Sequence, residues 1–265
     1  MGQAFRDIGS LVTLSYQDAR RLTRAMWQQI GLMVVMMFIA AIPGALLSRV
    51  LHTALGREVV GTLSTVAGLW LAAPYSVAFY RFILTGAVLG PEALRKTSAS
   101  QRFFAWSAVI AFIVSVPSYA YAILGSGWPA YTGTGTAPVN VPQTLVTFAL
   151  LLAVWVFVTR VLTLLPAVAM ERAVTLKQAL AQSRGHFWFI IGASIATVLP
   201  LSLLSAMLQV VVAIALGKPV GGFVALLIAV ATVLVVIQLG LSLSARLYQK
   251  FAPETASPDA DGREP

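Results

Sequence analysis

The sequence predicts an all-α polytopic membrane bundle of six transmembrane helices, with amphipathic interfacial helices on the cytoplasmic side. From Phe103 to Thr159 the chain has 57 residues without Asp, Glu, Lys or Arg, so nothing there would keep the surface of a water-soluble fold hydrated. The 265 residues are 58% hydrophobic and only 10% charged, against about 25% charged in ordinary globular domains. The mean hydropathy of +0.86 agrees with a chain that lies in a bilayer.

Six apolar runs are long enough for a helix to cross a hydrocarbon core, which takes about 20 residues. Backbone polar groups in lipid must be satisfied within the segment, so the runs are predicted as helices rather than strands. The fifth run exceeds the bilayer thickness, and we expect it to tilt or to extend past the headgroups. One proline in each of the first five runs predicts kinks. The predicted spans are Ala25–Leu47, Val59–Tyr80, Phe103–Leu124, Gln143–Pro166, Phe187–Leu216 and Val220–Ala245.

The basic residues are unevenly divided between the two sides of this predicted bundle. One side carries Arg6, Arg20, Arg21, Arg24, Arg81, Arg95, Lys96, Arg102, Arg172, Lys177, Arg184, Arg246, Lys250 and Arg263, and the other only Arg49, Arg57 and Lys218. Lys and Arg collect in cytoplasmic loops, so we expect a bacterial inner-membrane protein with both termini in the cytoplasm. The net charge of +9 has the same explanation, and no nucleic-acid partner is expected.

Residues 1–24 form an amphipathic pattern ahead of the six-span domain, which is predicted over residues 25–250. One helical face carries Phe5, Ile8, Leu11, Val12, Tyr16, Ala19 and Leu22. Such a helix is expected in the headgroup region, with Arg20, Arg21 and Arg24 near anionic lipid headgroups. A docking face for an unidentified protein partner is the alternative. Residues 251–265 contain too little apolar surface to fold, and a disordered tail is predicted.

Two further surface elements are predicted on the same side. Residues Thr175 to Arg184 begin with Thr175 and Gln178 at the spacing of a capping box, and they carry Lys177 and Arg184 as interfacial basic residues. A weaker element starts at Pro91, since proline is favoured at the first position of a helix.

Arg160 is the permanent charge that lies well inside a predicted span. A charged side chain in a membrane is costly, which makes Arg160 a candidate functional residue. It is either a structural brace or a ligand for an anion or lipid headgroup. Pro166 frees the carbonyl of Leu162 as an acceptor, while Glu171 lies eleven residues away, about 16 Å along a straight helix.

No set of residues predicts catalysis, a metal site or a cofactor. The two histidines, His52 and His186, fall on opposite sides of the predicted membrane, and cysteine is absent. Common motifs for nucleophilic, zinc or phosphate chemistry are missing from the sequence. Gln209 and Gln238 are predicted to form hydrogen bonds across the bundle. The motifs Gly192-x-x-x-Ala196 and Gly240-x-x-x-Ser244 are predicted to allow close helix approach. We therefore expect a protein that is not an enzyme.

The segment RVLTLLPAVAMERAVTLKQALAQSRGHFWFIIG, from Arg160 to Gly192, resembles the membrane domain of bacterial glycerophosphoryl diester phosphodiesterases and their smaller YciC-like relatives. APYSVAFYRFILTG, from Ala73 to Gly86, is similar to the end of that family's second helix. The shared positions are Arg160, Pro166, Glu171, Ala179, Leu180, Ser183, Arg184, Gly185 and Trp188. The resemblance implies an inner-membrane protein. The family's chemistry belongs to a separate soluble domain whose His and acidic metal ligands are not found here, so its activity is not carried over.

Taken together, these patterns predict a non-catalytic protein for envelope or lipid organisation, or for anchoring partners at the membrane. The alternative is a transporter or channel for a small or lipidic anion, with Arg160 as its ligand.

Overall fold

Helices make up all the regular structure in the part of the chain that the computed structural model describes, which is residues 2–90, 92, 97–126, 141–172, 175–183 and 185–251. They are α1 (Gly2–Val50), α2 (Ala54–Thr85), α3 (Ser98–Ser126), α4 (Val141–Val161), α5 (Leu164–Ala169), α6 (Leu176–Gln182), α7 (Phe187–Leu216) and α8 (Lys218–Phe251). By length and hydropathy, six helical stretches can cross a membrane, α4 and α5 together forming one of them. The predicted all-α, six-span fold is confirmed, and the chain is an integral membrane protein.

The fourth span is broken, where the sequence predicted one kinked helix from Gln143 to Pro166. α4 ends at Val161 and α5 begins at Leu164. Pro166 has no N–H to donate to the carbonyl of Leu162, so an α-helix cannot continue through it unchanged. In the first turn of a helix, the backbone N–H groups have no acceptor within the helix, so a proline in the first turn of α5 loses no hydrogen bond. The prolines of the other four spans lie inside helices; they are Pro43, Pro74, Pro117 and Pro200. α1 is kinked at Met26, whose backbone is not helical (φ −128°, ψ 30°).

Local sequence signals set several helix ends. The capping box predicted at Thr175 is confirmed: Gln178 N–H donates to Thr175 Oγ1 at 3.3 Å, and Thr175 N–H donates to Gln178 Oε1 at 2.8 Å. α2 begins after Thr53, whose Oγ1 accepts from Gly56 N–H at 3.1 Å. It ends at Gly86, which adopts the left-handed φ of 75° that favours glycine.

The hydrophobic core lies at one end of the bundle. Large side chains from α1, α2, α3, α5 and α8 are buried there, among them Leu22, Met26, Tyr75, Phe79, Tyr80, Phe103, Leu164 and Leu247. Tyr80 connects three helices, since its ring lies 5.8 Å from that of Phe103 and its hydroxyl is 2.8 Å from Ser244 Oγ. We call this the basic end, because most of the Lys and Arg residues lie on this side of the bundle. We call the other end, which carries Arg49, Arg57 and Gly217, the opposite end.

Toward the opposite end, most apolar side chains of the helices point away from the protein and are exposed. Only 6% of the most apolar stretch of α7, and 6% of that of α8, is buried inside the protein, against 50% for α2. Exposed Leu, Val and Phe side chains are the expected surface of a helix that contacts lipid tails. α1 and α2 nevertheless cross closely there, since a Cβ on Gly44 would overlap the side chain of Ser64.

The N-terminal segment is separated from the first span by the kink at Met26, and its apolar face packs on α7 and α8. Ile8 and Leu11 join a cluster with Ile190 and Leu247, and Ile8 Cδ1 lies 3.2 Å from the position of a Cβ on Gly192. The close approach predicted at Gly192 is therefore made by this segment. The one predicted at Gly240 is not seen in the described part of the protein, because a Cβ there would meet nothing within 4 Å. The first ten residues of the long helix α7 run beside it. The position of the segment at headgroup level stays a prediction.

Some predicted features lie outside the described residues. They are the start of the element at Pro91, Arg184, and residues 252–265 of the predicted tail.

Candidate functional site at the basic end

Arg160 stands in the last turn of α4, just before the break that precedes Pro166. Its side chain is half-buried, and its guanidinium carbon lies 5.6 Å from the centre of the Phe187 ring, at the start of α7. A guanidinium over an aromatic face is stabilised by the ring's quadrupole. That contact holds the group between α4 and α7, but it supplies no hydrogen-bond acceptor.

The Nε atom of Arg160 is buried and has no hydrogen-bond partner among the residues that the structure describes. The same holds for the hydroxyl of Thr163, three residues further on at the α4–α5 break. Buried polar groups normally have hydrogen-bond partners, so two unpaired donors beside the interruption between α4 and α5 need an explanation. An acceptor from outside the protein is one explanation that fits a charged donor.

Glu171, considered from the sequence as a partner for Arg160, is held by Arg81 instead. Arg81 Nη2 donates to Glu171 Oε1 at 2.7 Å, and Arg81 Nε donates to the carbonyl of Ala169 at 2.9 Å. Glu171 adopts a positive φ of 59°, which turns the chain at the end of α5. The pair therefore ties α2 to the segment after α5, and it leaves Arg160 without this carboxylate.

A second ion pair joins the N-terminal segment to α8. Arg246 Nε and Nη2 donate to the two carboxylate oxygens of Asp18 at 2.6 and 2.9 Å. The Asp18 side chain is 6% exposed and that of Arg246 is 24% exposed. Nearby, Lys250 Nζ lies 3.0 Å from Asp7 Oδ2, in a more exposed pair. The bidentate geometry fixes where the segment docks.

The interfacial basic residues predicted from the sequence are exposed where they are described. Arg20, Arg21, Arg24 and Lys177 are on the surface, and the ion pairs of the described residues use other cations. Arg184 lies outside the described residues. Arg81 and Arg246 are therefore paired with carboxylates of the protein, whereas Arg160, Arg20, Arg21, Arg24 and Lys177 form no ion pair with the described residues.

Sequence reasoning missed Arg81 and Asp18 as organising residues, because their partners lie 90 and 228 positions away along the chain. Gln238 was correctly predicted to bond across the bundle: its Oε1 accepts from Thr23 Oγ1 at 2.6 Å. Gln209 instead donates to Ser205 on its own helix.

Comparisons of this chain with protein-family models, with curated proteins and with solved structures find no match. The resemblance noted in residues 160–192 stays a prediction. Among the described residues, no group of three His, Asp or Glu side chains is placed to hold a metal ion.

Proposed function

We propose that this protein is a non-catalytic membrane protein that binds anionic phospholipids at its basic end, with Arg160 as the phosphate ligand. The observation that carries the proposal is the buried Nε of Arg160, which has no acceptor in the described part of the protein. Its biological role would then be lipid or envelope organisation in a bacterial inner membrane, where the resemblance to the phosphodiesterase membrane domain also points.

The chemistry favours a phosphate diester over an internal brace. Burying a charge without a partner is costly, and the carboxylate that could have paired with Arg160 is engaged by Arg81. A guanidinium offers a planar fork that matches two phosphate oxygens. In a membrane, the acceptors within reach of a residue near a helix end are lipid headgroups.

The exposed cations around this site support an anionic rather than a zwitterionic lipid. Arg20, Arg21, Arg24 and Lys177 are on the surface, and each basic residue near a charged leaflet contributes about 1 kcal/mol of attraction. The cytoplasmic leaflet fits if both termini are cytoplasmic, as the distribution of basic residues predicts. Labelling of a Thr134→Cys variant tests that orientation: reaction with an impermeant reagent from the periplasmic side supports it, and protection there with reaction from the cytoplasmic side contradicts it.

The lipid site is tested by Arg160→Gln, with Arg81→Gln as the matched control. Phosphatidylglycerol should raise the melting temperature of the wild-type protein in detergent more than phosphatidylcholine does. Arg160→Gln should lose most of that difference and should co-purify with less anionic lipid, and Arg160→Lys should recover part of it. Arg81→Gln should melt earlier, because its partners belong to the protein, but should keep the lipid response. An unchanged response in Arg160→Gln would reject the proposal.

Transport of an anion past Arg160 is the other function considered from the sequence. It requires a polar passage that reaches the guanidinium. Five grooves on the described part of the chain are lined by residues of α1, α2, α3 and α8, and Arg160 does not line these five. We therefore propose lipid binding rather than transport.

A further inference from the structure

A groove runs between α1 and α2 toward the opposite end of the bundle, far along both helices from Arg160. Its volume is about 390 Å³, and residues of these two helices alone line it. The close crossing at Gly44 and Ser64 forms its floor, and small residues keep it open. Its main lining residues are Met37, Gly44, Ser48, Arg57, Gly61 and Leu69.

The groove is as long as one leaflet of a bilayer. On α1 it extends from Ser48 to Met37, and on α2 from Arg57 to Leu69. At about 1.5 Å per residue these stretches measure roughly 16 and 18 Å. Half of the hydrocarbon core of a bilayer is about 15 Å. Arg57 lies just before the predicted span Val59–Tyr80, so we expect it at headgroup level and the deep end of the groove near the middle of the membrane.

The polarity of the groove changes along its length in the same direction as that of a phospholipid. The deep end is lined by Met37 and Leu69, the middle includes the hydroxyls of Ser64 and Thr65, and the mouth is lined by Ser48 and the charged Arg57. Arg57 is exposed, and the ion pairs of the described residues do not involve it. Its guanidinium can donate two parallel hydrogen bonds to a phosphate.

We propose that this groove holds one phospholipid of the leaflet at the opposite end, with an acyl chain between α1 and α2 and its phosphate on Arg57. The site does not depend on Arg160. A helix of a second copy fits less well, because copies in one membrane share their orientation. A twofold contact through the groove would then bring Arg49 and Arg57 of one copy close to the same cations of the other, and like charges repel at such an interface.

Gly61→Leu tests the groove by filling it. Gly61 lines the groove, and a Cβ on it meets nothing within 4 Å, so a larger side chain can begin there without overlapping the backbone. Gly222→Leu is the matched control, because Gly222 is an exposed glycine on α8 that also has open space at its Cβ. Arg57→Gln tests the phosphate ligand, and the exposed Arg49→Gln controls for loss of a cation at the same end.

The measurement is native mass spectrometry of the full chain in detergent, titrated with dioleoylphosphatidylglycerol, in an Arg160→Gln background so that the basic-end site does not contribute. The parent protein should retain one tightly bound lipid. Gly61→Leu and Arg57→Gln should each weaken that binding about tenfold or more, the size expected for loss of a charge-assisted hydrogen bond or of the chain's space. Gly222→Leu and Arg49→Gln should bind like the parent.

Two results would overturn this proposal. Lipid binding that is equal in Gly61→Leu, Gly222→Leu and the parent would show that the groove is not the site. A change from dimer to monomer in Gly61→Leu, with lipid binding retained, would identify the groove as an interface between copies. Since Arg57→Gln alters only an exposed side chain, it remains informative even if Gly61→Leu does not fold.

Discussion

The ion pair between Asp18 and Arg246 should be worth more to stability than any other in the described part of the protein, and its two halves should not be equivalent. Both carboxylate oxygens of Asp18 are engaged, at 2.6 and 2.9 Å. Removing one partner of a buried pair costs about 3–5 kcal/mol, whereas an exposed pair contributes about 0–1 kcal/mol. Asp18 is 6% exposed, and Arg246, at 24%, lies between these limits.

The asymmetry follows from which charge is left behind. Arg246→Gln strands a buried carboxylate, so the free energy of unfolding should fall by about 3 kcal/mol or more. Asp18→Asn strands a guanidinium that is partly hydrated and still donates to Gln249 at 2.9 Å, so the loss should be nearer 1–2 kcal/mol. Asp7→Asn is the control, because its pair with Lys250 is 47% and 39% exposed, and it should cost less than about 1 kcal/mol.

The assay is reversible unfolding in mixed micelles with increasing SDS, followed by circular dichroism. The double variant Asp18→Asn/Arg246→Gln should be more stable than Arg246→Gln alone, because the uncompensated charge is gone. Equal losses in Asp18→Asn, Arg246→Gln and Asp7→Asn would refute the reasoning, since burial would then not determine the value of the pair.

Three other substitutions can be compared in the same titration. Tyr80→Phe removes a buried hydroxyl 2.8 Å from Ser244 Oγ and should lower the free energy of unfolding by about 0.5–1.5 kcal/mol. Tyr75→Phe removes a buried hydroxyl without a partner among the described residues, so it should be neutral or stabilising. A greater loss of stability in Tyr75→Phe than in Tyr80→Phe would contradict this. Gly44→Leu places a side chain where Ser64 lies and should lower the free energy of unfolding by about 1–3 kcal/mol by forcing α1 and α2 apart, so an unchanged unfolding midpoint would contradict the close crossing.

The parts of the fold that sequence reasoning predicted are those governed by local properties. Hydropathy over helix length is local, and it located all six spans, with α7 beginning and ending at the predicted residues. The capping box at Thr175 spans three residues and was also correct. Hydropathy does not register the missing N–H of Pro166, so the break between α4 and α5 was predicted only as a kink.

The contacts that organise the candidate site are not local, and the sequence pattern did not reveal them. Arg81 was counted only among the basic residues of its side, although it holds Glu171 and the Ala169 carbonyl. The amphipathic pattern of the N-terminal segment was recognised. That pattern could not distinguish an apolar face against lipid from one against α7 and α8, because both environments favour the same side chains. The candidate Arg160 was found because charge inside a span is visible without a structure.

The pairing of Asp18 with Arg246 also sets an order of events during biosynthesis. The two residues are 228 positions apart, so α1 is synthesised and inserted long before its partner on α8 emerges from the ribosome. Until then Asp18 remains in contact with water or headgroups, because a lone carboxylate does not enter an apolar core. The segment that is translated first therefore reaches its final position only after α8 has been synthesised. A quality-control protease that recognises an undocked N-terminal helix would remove incomplete chains selectively.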